Sequence, residues 1–521
     1  MVELSIVLKM SFAIVVVGFI NLCIHLYNVL WVKPERLRSE LGKQGIRGPP
    51  RTLVLGNILD MKRAQSAVAK SLREEDASNM THNLSSRLFP FFEQWRSQYG
   101  HIFMFAVGNA QLLHVTQPDI VKEISVCTSL NFGKPSYQHK DRGPLLGQGI
   151  LTSNGIAWAH QRKIIAPQLY MDKVKGMIDL ITESTISLMN LWKSKIENGG
   201  GVGEIKIDED LRSFSGDVIS RACFGSSYSK ARDIFLKLRL LQDAMSKKSL
   251  TTGIPGMRYV PTKSNREIWR LEKEIRRLIL KVVKEREASK QPEKDLLQTI
   301  LEGAKEGDLS PEATDRFIVD NCKNIYLAGY ETTAVSSLWT LMLLASHPEW
   351  QARVRQEVLQ VCGSGKLLPD ADMLRRMKLL TMVIHESLRL YPPVAIISRE
   401  ALKDMKFGDI HVPESVNVWT SVTWLHLDPE YWGPDSYKFN PDRFANGIAG
   451  ACKLPYLYMP FGVGPRICLG QNLAMQELKI LLSLILTNFS FSLSPNYRHS
   501  PALRLVIEPE HGIDLLITRL Q

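Results

Sequence analysis

The chain has 521 residues but only seven cysteines, and none of them forms a Cys-x-x-Cys pair. It therefore lacks the paired thiols of a zinc cluster, and an odd, scattered set of cysteines does not make a disulfide framework. The Gly-rich turns at residues 198–201 and 363–365 lack the Lys-Ser or Lys-Thr ending of a phosphate loop. These absences indicate a reducing compartment and argue against a zinc-cluster or phosphate-loop protein.

The sequence also has no internal repeat, no Gly/Ser linker within its body and no compact basic run interleaved with aromatics. We therefore predict one large mixed domain, and with 45% hydrophobic residues it is able to bury a sizeable core. The net charge of +12 predicts an acidic partner or an anionic membrane surface rather than nucleic acid. A solubilising surface charge is the alternative explanation for part of this excess.

Long apolar runs are equally scarce, and the one that exists lies at the N-terminus. Met10–Val32 contains 23 residues without a formal charge. At ~1.5 Å per residue, such a helix crosses a hydrocarbon layer of ~30 Å. A buried core helix is the alternative, which the terminal position disfavours. Basic residues follow the run, which places the remainder in the cytosol. We predict an anchor over residues 1–32, a basic, proline-rich hinge over residues 33–57 and a cytosolic body over residues 58–521.

Helical periodicity dominates the body. It predicts helices over Lys173–Asn198, Asn265–Ala288, Ala313–Ala345 and Glu349–Val361. Strand-like runs are short and lie near residues 101, 112, 405, 489 and 503. The predicted fold class is therefore mainly α with small β-sheets (α+β), the sheets lying at the two ends of the domain.

Near the C-terminus, the loop FGVGPRICLG places Cys468 among glycines, a proline and an arginine. This composition predicts a tight loop that presents the sulfur at the start of a helix, where backbone N–H groups stabilise a thiolate. A nucleophile requires an adjacent base, and no histidine is close in sequence. As a lone metal ligand, a thiolate suits haem iron. Structural, nucleophilic and metal-binding roles all remain open for this loop alone.

A pair of charges stands out in the segment HESLRLYPP. Glu386 and Arg389 lie three residues apart and share one face of a helix that Pro392 ends. Such pairs are common on exposed helices and acquire a structural role only with a third partner. Arg443, in the segment FNPDRF, is the candidate for that partner.

The segment AGYETT lies in the middle of the apolar helix predicted over Ala313–Ala345. A glycine within a helix costs ~1 kcal/mol relative to alanine, so we expect Gly329 to admit a close neighbour. Glu331 and Thr332 are costly to bury unless they are used. We expect them to open the helix locally and pass protons to a buried centre. The alternative is a threonine bonded to the carbonyl one turn earlier.

Trp158 and Arg162 lie one helical turn apart in the segment WAHQR. An indole N–H and a guanidinium that point the same way suit a pair of carboxylates. A core tryptophan beside a surface arginine is the alternative.

Together and in this order, these five segments resemble the cytochrome P-450 haem-thiolate monooxygenases. WAHQR is similar to the C-helix motif of that family, AGYETT to its oxygen-activating I-helix motif and HESLR to its K-helix Glu-x-x-Arg motif. PDRF is similar to the family's Pro-Glu-Arg-Phe segment, with Asp442 where Glu is frequent, and FGVGPRICLG is similar to the haem-binding loop. The resemblance spans nearly the whole chain and implies the P-450 fold with an N-terminal transmembrane helix.

Carried over residue by residue, the resemblance implies roles for these side chains. Cys468 is the thiolate ligand of the iron, with Phe461 packed near it. Glu331 and Thr332 manage water and protons during dioxygen scission. The haem propionates are bound by Trp158, Arg162, Arg466 and Arg399, and the structural triad consists of Glu386, Arg389 and Arg443.

The resemblance also implies cofactors, partners and a location. It implies haem b, with electrons from NADPH delivered by NADPH–cytochrome P-450 reductase, since the chain has no flavin or nicotinamide fingerprint. It implies a monomer spanning the endoplasmic reticulum membrane once, in contact with lipid and an apolar terpenoid-like substrate, and no nucleic acid. Alternatives within the fold are a reductase-independent isomerase or dehydratase, which usually lacks the acid–alcohol pair, and a non-catalytic haem sensor.

The stretches NFGKPSYQHKDRGPLLGQGILTSNGIAWAHQRK and PPVAIISRE resemble a plant microsomal clan that oxidises gibberellins, brassinosteroids, cytokinins and terpenoids. Within it the chain is most similar to enzymes of gibberellin-type diterpenoids, with triterpenoid acids as the alternative and either hydroxylation or epoxidation as the reaction. The family's substrate contacts map to residues 136–149, 324–332, 394–398 and 510–513. The implied apolar contacts are Ala328, Ala395, Ile396 and Ile397. His139, Lys140 and Arg142 are either partners of a substrate carboxylate or solvated.

Overall fold

The computed structural model describes residues 2–74, 82–225, 228–246, 256–288, 295–306, 310–363 and 368–520. Its first helices are α1 Val2–Tyr27, α2 Lys33–Gly42, α3 Ile58–Glu74, α4 Leu84–Leu88, α5 Pro90–Tyr99, α6 Pro118–Val126, α7 Ser136–Asp141, α8 Gly143–Leu146, α9 Gly155–Ile165, α10 Met171–Lys175, α11 Ile178–Asn198 and α12 Asp208–Phe224. The later helices are α13 Tyr228–Ser246, α14 Lys263–Ala288, α15 Leu296–Glu306, α16 Pro311–Ser346, α17 Pro348–Val361, α18 Ala371–Arg376, α19 Lys378–Leu390, α20 Val422–Leu427, α21 Pro429–Trp432, α22 Gly447–Ala451 and α23 Gln471–Asn488.

The strands are short and form four small sheets. They are β1 Ile102–Val107, β2 Ala110–Val115, β3 Phe132–Gly133, β4 Val202–Lys206, β5 Ile396–Ala401, β6 Met405–Phe407, β7 Ile410–Val412, β8 Asn417–Ser421, β9 Phe489–Leu493, β10 Pro501–Leu503, β11 Ile507–Pro509 and β12 Asp514–Arg519. The largest sheet has the order β1-β2-β8-β5-β3, in which β2 and β8 are parallel and the other pairs antiparallel. A second sheet has the order β4-β12-β9, and two hairpins complete the set. The predicted mainly helical fold class is confirmed.

The predicted helices differ from the observed ones mainly at one break. The helix predicted over Lys173–Asn198 is divided into α10 and α11 at Gly176 and Met177. Val174 and Ile178 on either side of the break are both buried, so the apolar pattern continues through it. Periodicity alone does not register such a break, because both helices pack their apolar faces on the same core.

Among the described residues, one helix is long and apolar enough to cross a membrane, and it runs from Lys9 to Gly42. It contains most of α1, a π-helical turn at Asn28–Val32, and α2. The first 10 residues of the predicted hinge are therefore helical. Pro34 allows this because it lies in the first turn of α2, where a missing N–H is tolerated.

Arg51 joins this helix to the body. Because Pro34 has no N–H, the carbonyl of Leu30 lacks its usual helical donor. Arg51 Nη1 donates to that carbonyl at 3.2 Å, and Nη2 donates to the carbonyl of Trp31 at 3.4 Å. The same guanidinium pairs with Glu35 at 3.4 Å. The C-terminal end of this helix is thus held against the body by side-chain contacts.

The long helix α16 runs through the core of the body. The Ser310 side chain caps its N-terminus by accepting a hydrogen bond from the Ala313 N–H, and the helix ends just before Pro348. It packs against α12, α15, α19 and α23. The helix therefore lies between α23, which follows the loop of Cys468, and the helices α12, α15 and α19.

Candidate active site

Cys468 lies in a tight loop between a 3-10 turn at Gly464–Arg466 and the start of α23. The Cys468 N–H donates to the Phe461 carbonyl at 2.9 Å, which closes the loop. Gly464 has φ +69°, and a Cβ there would overlap the carbonyl of Ser125. Only glycine tolerates both conditions. The loop thus presents the sulfur near the free backbone N–H groups of a helix start.

The Cys468 side chain is exposed by surface area although it lies deep in the protein. Protein atoms surround it closely enough that burial raises the pKa of the thiol, while the Gly470 N–H and the Arg162 charge oppose the rise. Both observations hold if the sulfur borders an internal space rather than packing into the core. A bound metal ion deprotonates a coordinating thiol despite such burial.

Four basic side chains converge beside this loop, and we call Lys134, Arg162, Arg399 and Arg466 the basic cluster. Arg466 lies 4.2 Å from the ring centroid of Trp158, and Arg162 lies 5.7 Å from it. Burial, Arg399 and Arg162 lower the pKa of Arg466 to about 9. Burial lowers that of Arg399 to about 10, and burial with Arg399 and Arg466 lowers that of Lys134.

The hydrogen bonds of the basic cluster position the cations without neutralising them. Arg466 donates to the Ser153 carbonyl at 3.0 Å and to Asn154 Oδ1 at 2.9 Å. Arg162 donates to the Ile467 carbonyl of the cysteine loop at 3.1 Å. Within the described part of the chain, no carboxylate acts on the pKa of these four cations, so none neutralises the cluster. Its chemistry fits a ligand with two carboxylates beside a single thiolate, which is the donor set that haem b requires.

Glu386, Arg389 and Arg443 meet in the core. Arg389 forms two hydrogen bonds with the Glu386 carboxylate, at 2.6 and 2.7 Å, and neither side chain is exposed. Arg443 Nε lies 3.6 Å from Glu386 Oε1. Arg389 also donates to the carbonyls of His426 and Ser436. The three charges therefore tie the segment before α22 to α19, whereas Asp442 is exposed and pairs with a residue of α17.

Glu331 points into a network of charges. Its side chain is 1% exposed, 3.1 Å from Arg239 and 3.6 Å from Arg212. Arg212 in turn pairs with Glu508 at 2.7 Å. Burial raises the pKa of Glu331, and the two arginines oppose that rise. The carboxylate is therefore engaged by cations of α12 and α13.

Thr332 bonds to the carbonyl one helical turn earlier, which was the alternative given for it above. Its Oγ1 donates to the Ala328 carbonyl at 2.7 Å. Between residues 318 and 345 of α16, only Ala328, Gly329 and Thr332 are partly exposed. Their spacing places them on one face of the helix. Gly329 also admits a close neighbour, as predicted, because a Cβ there would meet Ile219 at 2.5 Å. Ala328 and Thr332 therefore border open space inside the body, while Gly329 lies against Ile219 of α12.

The three apolar contacts predicted near β5 are not equivalent. Ile396 is partly exposed, whereas Ala395 and Ile397 are 4% and 8% exposed. Val394, which lies two residues before Ile396, is 44% exposed. Alternate residues of an extended segment face opposite sides. Ile396 and Val394 therefore face open space, and Ala395 and Ile397 pack inward.

Sequence reasoning missed Lys134, Arg212, Arg239 and Glu508. Their partners lie far along the chain, with up to 296 residues between Arg212 and Glu508. No local motif contains these pairs. A signal existed only for Glu331, whose burial in an apolar helix predicts some partner of opposite charge.

Comparison with known proteins gives a consistent assignment. The family model for cytochrome P-450 matches residues 79–516. Cytochrome P-450 714C2 of Oryza sativa subsp. japonica is 53% identical over 510 residues, which cover 96% of this chain and 97% of that protein. Cytochrome P-450 714B2 of the same plant is 48% identical over 518 residues, covering 97% and 96%. Cytochrome P-450 714A2 of Arabidopsis thaliana is 46% identical over 511 residues, covering 96% of each.

Proposed function

The chain belongs to the cytochrome P-450 family, and on that premise we propose that it oxidises a gibberellin-type diterpenoid with Cys468 as its iron ligand. As a member it is an NADPH- and O2-dependent monooxygenase that uses thiolate-ligated haem and receives electrons through a reductase. The bound haem supplies O2 activation and the transfer of one oxygen atom. The side chains of the protein bind and orient this group and control access of water and protons.

The observation that carries the site assignment is the basic cluster beside an exposed thiol. Burying several cations together is unfavourable unless an anion joins them. Arg162, Arg399, Arg466 and Lys134 are the proposed partners of the haem carboxylates, and the Trp158 N–H is a further donor. Phe461 borders the ligand thiolate from within the loop. Glu386, Arg389 and Arg443 are the proposed structural triad that stabilises the segment leading to this loop.

Thr332 is the proposed proton donor on the face of α16 that borders the internal space. When the Thr332 hydroxyl donates to a water molecule instead of the Ala328 carbonyl, it can orient that water to deliver a proton to the haem site. Glu331 is the proposed relay, because burial opposes its ionisation while Arg212 and Arg239 favour it. An intact Glu331-Thr332 pair favours a monooxygenase over a reductase-independent isomerase.

The role of Thr332 predicts a change in coupling. Thr332→Ala removes the hydroxyl but no charge, so we expect haem to be retained while NADPH consumption per product rises about tenfold. The measurement is NADPH oxidation against product formation in reconstituted membranes. Ser336→Ala is the control, since its hydroxyl also bonds one turn back in α16. Normal coupling in Thr332→Ala would remove the proposed role.

The proposed diterpenoid substrate rests on the sequence resemblance and on the apolar residues of the segments that it assigns to substrate contact. Ala328, Ile396 and Val394 are at least partly exposed there, and aliphatic groups suit a polycyclic skeleton. The charged residues of the loop were predicted either to bind a substrate carboxylate or to be solvated. His139 Nδ1 lies 3.1 Å from the Gly147 carbonyl, and Arg142 is exposed. The exposure of Arg142 favours the solvated alternative for this loop.

The decisive experiment is a substrate screen. The chain, co-expressed with a plant reductase, is supplied with NADPH and with either gibberellin-type diterpenoids or triterpenoid acids, and products are identified by mass spectrometry. Membranes carrying Cys468→Ala provide the background. We expect products with one additional oxygen atom from the diterpenoids only. Conversion of triterpenoid acids alone would refute the diterpenoid assignment, and conversion of neither would refute both.

The proposed location is the endoplasmic reticulum membrane, crossed once by the apolar run Met10–Val32 of the helix Lys9–Gly42, with the body in the cytosol as a monomer. The proposed docking surface for the reductase is the basic segment formed by α9 and α10, which lies beside α23. Lys163, Lys173 and Lys175 are exposed there. An acidic reductase surface is attracted to such a patch, so reduction by the reductase is expected to slow as salt increases.

A further inference from the structure

The first half of α16 carries four polar residues that face away from solvent. Asp320, Asn321, Lys323 and Asn324 are 7%, 0%, 3% and 0% exposed. Buried polar groups require partners, because an unpaired amide or charge in the interior is costly. Their partners identify what this part of the helix holds.

The two asparagines bind the backbone of one loop, residues 144–151. Asn324 Oδ1 accepts a hydrogen bond from the Leu151 N–H at 2.9 Å, and its Nδ2 donates to the Leu146 carbonyl at 2.7 Å. Asn321 Oδ1 accepts from the Ile150 N–H at 3.0 Å. Both polar atoms of Asn324 are therefore used by the loop, although the resemblance placed Asn324 at the start of a substrate-contact segment.

The charged pair binds the same loop. Asp320 Oδ2 accepts from the Gln148 N–H at 2.8 Å, and Lys323 Nζ lies 3.0 Å from Asp320 Oδ1. Lys323 also donates to the Pro144 carbonyl at 3.2 Å. Gly147, with φ +57°, packs directly on the Asp320 carboxylate and leaves no room for a Cβ. The ion pair of Asp320 and Lys323 is therefore in direct contact with the backbone of this loop.

The same loop and Ser153, which follows it, are hydrogen-bonded to residues of the candidate haem site. Gln161 of α9 donates to the Gln148 carbonyl at 3.0 Å and accepts from Ser153 Oγ at 2.8 Å. Arg466 of the basic cluster donates to the Ser153 carbonyl at 3.0 Å. The loop is therefore connected to α16 on one side and to α9 and the cysteine loop on the other.

We propose that Asp320, Asn321, Lys323 and Asn324, the loop clamp, fix residues 144–151 as a rigid wall of the substrate cavity and thereby select the position oxidised. This inference rests on the proposed function, in which that loop borders the substrate. Ala328 follows Asn324 by one helical turn and Thr332 by two. The helix that carries the proposed proton donor thus also sets the distance to the wall. The clamp residues are positioning residues, and the loop is not a lid.

Hydrogen exchange tests the wall without any substrate. In the haem-loaded protein in membranes, Asn324→Ala removes two loop bonds, and we expect amide exchange in residues 144–151 to accelerate about tenfold. Asn321→Ala removes one loop bond and keeps the ion pair, so it provides a milder variant that tests the same point. Ser337→Ala is the matched control, because Ser337 is buried in α16 and, among the described residues, its hydroxyl bonds the Thr333 carbonyl of its own helix. Unchanged exchange in both asparagine variants would overturn the proposal.

Selectivity tests the consequence. With whichever substrate the screen identifies, Asn321→Ala and Asn324→Ala should broaden the distribution of oxidised positions and raise KM more than they lower kcat. The carbon monoxide spectrum should remain that of a thiolate haem. A variant with faster loop exchange but the parental product distribution would show that the clamp only stabilises the fold, and would overturn its role in selectivity. Failure of the diterpenoid assignment leaves the exchange result intact.

Discussion

Two groups of arginines in this protein differ in whether a carboxylate of the same chain neutralises them. In the basic cluster, Arg162, Arg399 and Arg466 are joined by Lys134, and hydrogen bonds to backbone carbonyls and an amide hold the arginines in place. No described carboxylate shares that site. Burial, together with Arg399 and Arg162, lowers the pKa of Arg466 to about 9.

The second group, which we call the paired network, consists of Arg212, Arg239, Arg504, Glu331 and Glu508. Arg212 and Arg504 lie 2.7 and 2.5 Å from Glu508, and Arg239 lies 3.1 Å from Glu331. Every arginine here meets a carboxylate of the same chain. We infer that cations without an internal counter-charge mark the proposed ligand site, whereas cations paired with carboxylates of the same chain stabilise the fold.

The largest effect is expected from the cysteine beside the basic cluster. Cys468→Ala removes the proposed iron ligand, so the reduced, carbon-monoxide-bound protein should lose the absorption band of thiolate haem entirely. Difference spectra of membranes measure this. Cys452→Ala is the control, since that cysteine is also buried, donates to the Leu454 carbonyl and lies outside the loop of Cys468. An unchanged band in Cys468→Ala would refute the ligand assignment.

Breaking the paired network should cost stability. Arg212→Leu leaves Glu508 and Glu331 without one of their buried cations, and removal of one partner of such a pair costs ~3–5 kcal/mol. Chemical unfolding followed by fluorescence measures the change. Arg221→Leu, in the same helix, is the control because its partner Glu183 is exposed and such pairs contribute about 0–1 kcal/mol. Equal losses in both variants would contradict the distinction.

Breaking the basic cluster should instead weaken haem binding. Arg466→Leu removes a cation that lacks an internal counter-charge, so we expect haem affinity to fall by ~1.5–3 kcal/mol. The rate of haem transfer from the holoenzyme to apomyoglobin measures this. Arg353→Leu is the control, because Arg353 also lies over a tryptophan, at 3.8 Å from the Trp350 ring centroid, but is bound to the exposed Asp442. Parental haem retention in Arg466→Leu would remove the proposed contact.

Glu477 provides the opposite case, a buried carboxylate without a cation among its described neighbours. Burial raises its pKa from 4.5 to about 8, while a hydrogen bond with Ser215 opposes the rise. The folded protein therefore keeps a proton that the unfolded chain releases, and stability falls as pH rises between these values. Glu477→Gln should flatten this dependence and stabilise the protein by ~1–3 kcal/mol at the upper end.

Unfolding measured near pH 5 and near pH 8 tests this prediction for the parent and the variant. Glu302→Gln, an exposed change in α15, provides the control. A parental slope in Glu477→Gln would show that another group is responsible for the pH dependence.

The motifs were predictable because the residues of each one are neighbours along the chain. Glu386 and Arg389 share a helical face through their spacing alone, and the glycines around Cys468 specify a turn wherever the loop lies. The strand-like runs near residues 101 and 112 became the hairpin of β1 and β2 for the same reason. Strands β5 and β8 were missed, because each is stabilised by pairing with strands far away in the sequence.

The sequence by itself determined the apolar N-terminal helix, the helical body, the turn that presents Cys468 and the family. These follow from periodicity, composition and short spacings. Only the tertiary structure decided which buried charges are neutralised, which loop Asn324 holds, and that Ile396 rather than Ala395 or Ile397 faces open space. The physical reason is that Coulomb and hydrogen-bond energies depend on distance in space, and these partners are separated by tens to hundreds of residues along the chain.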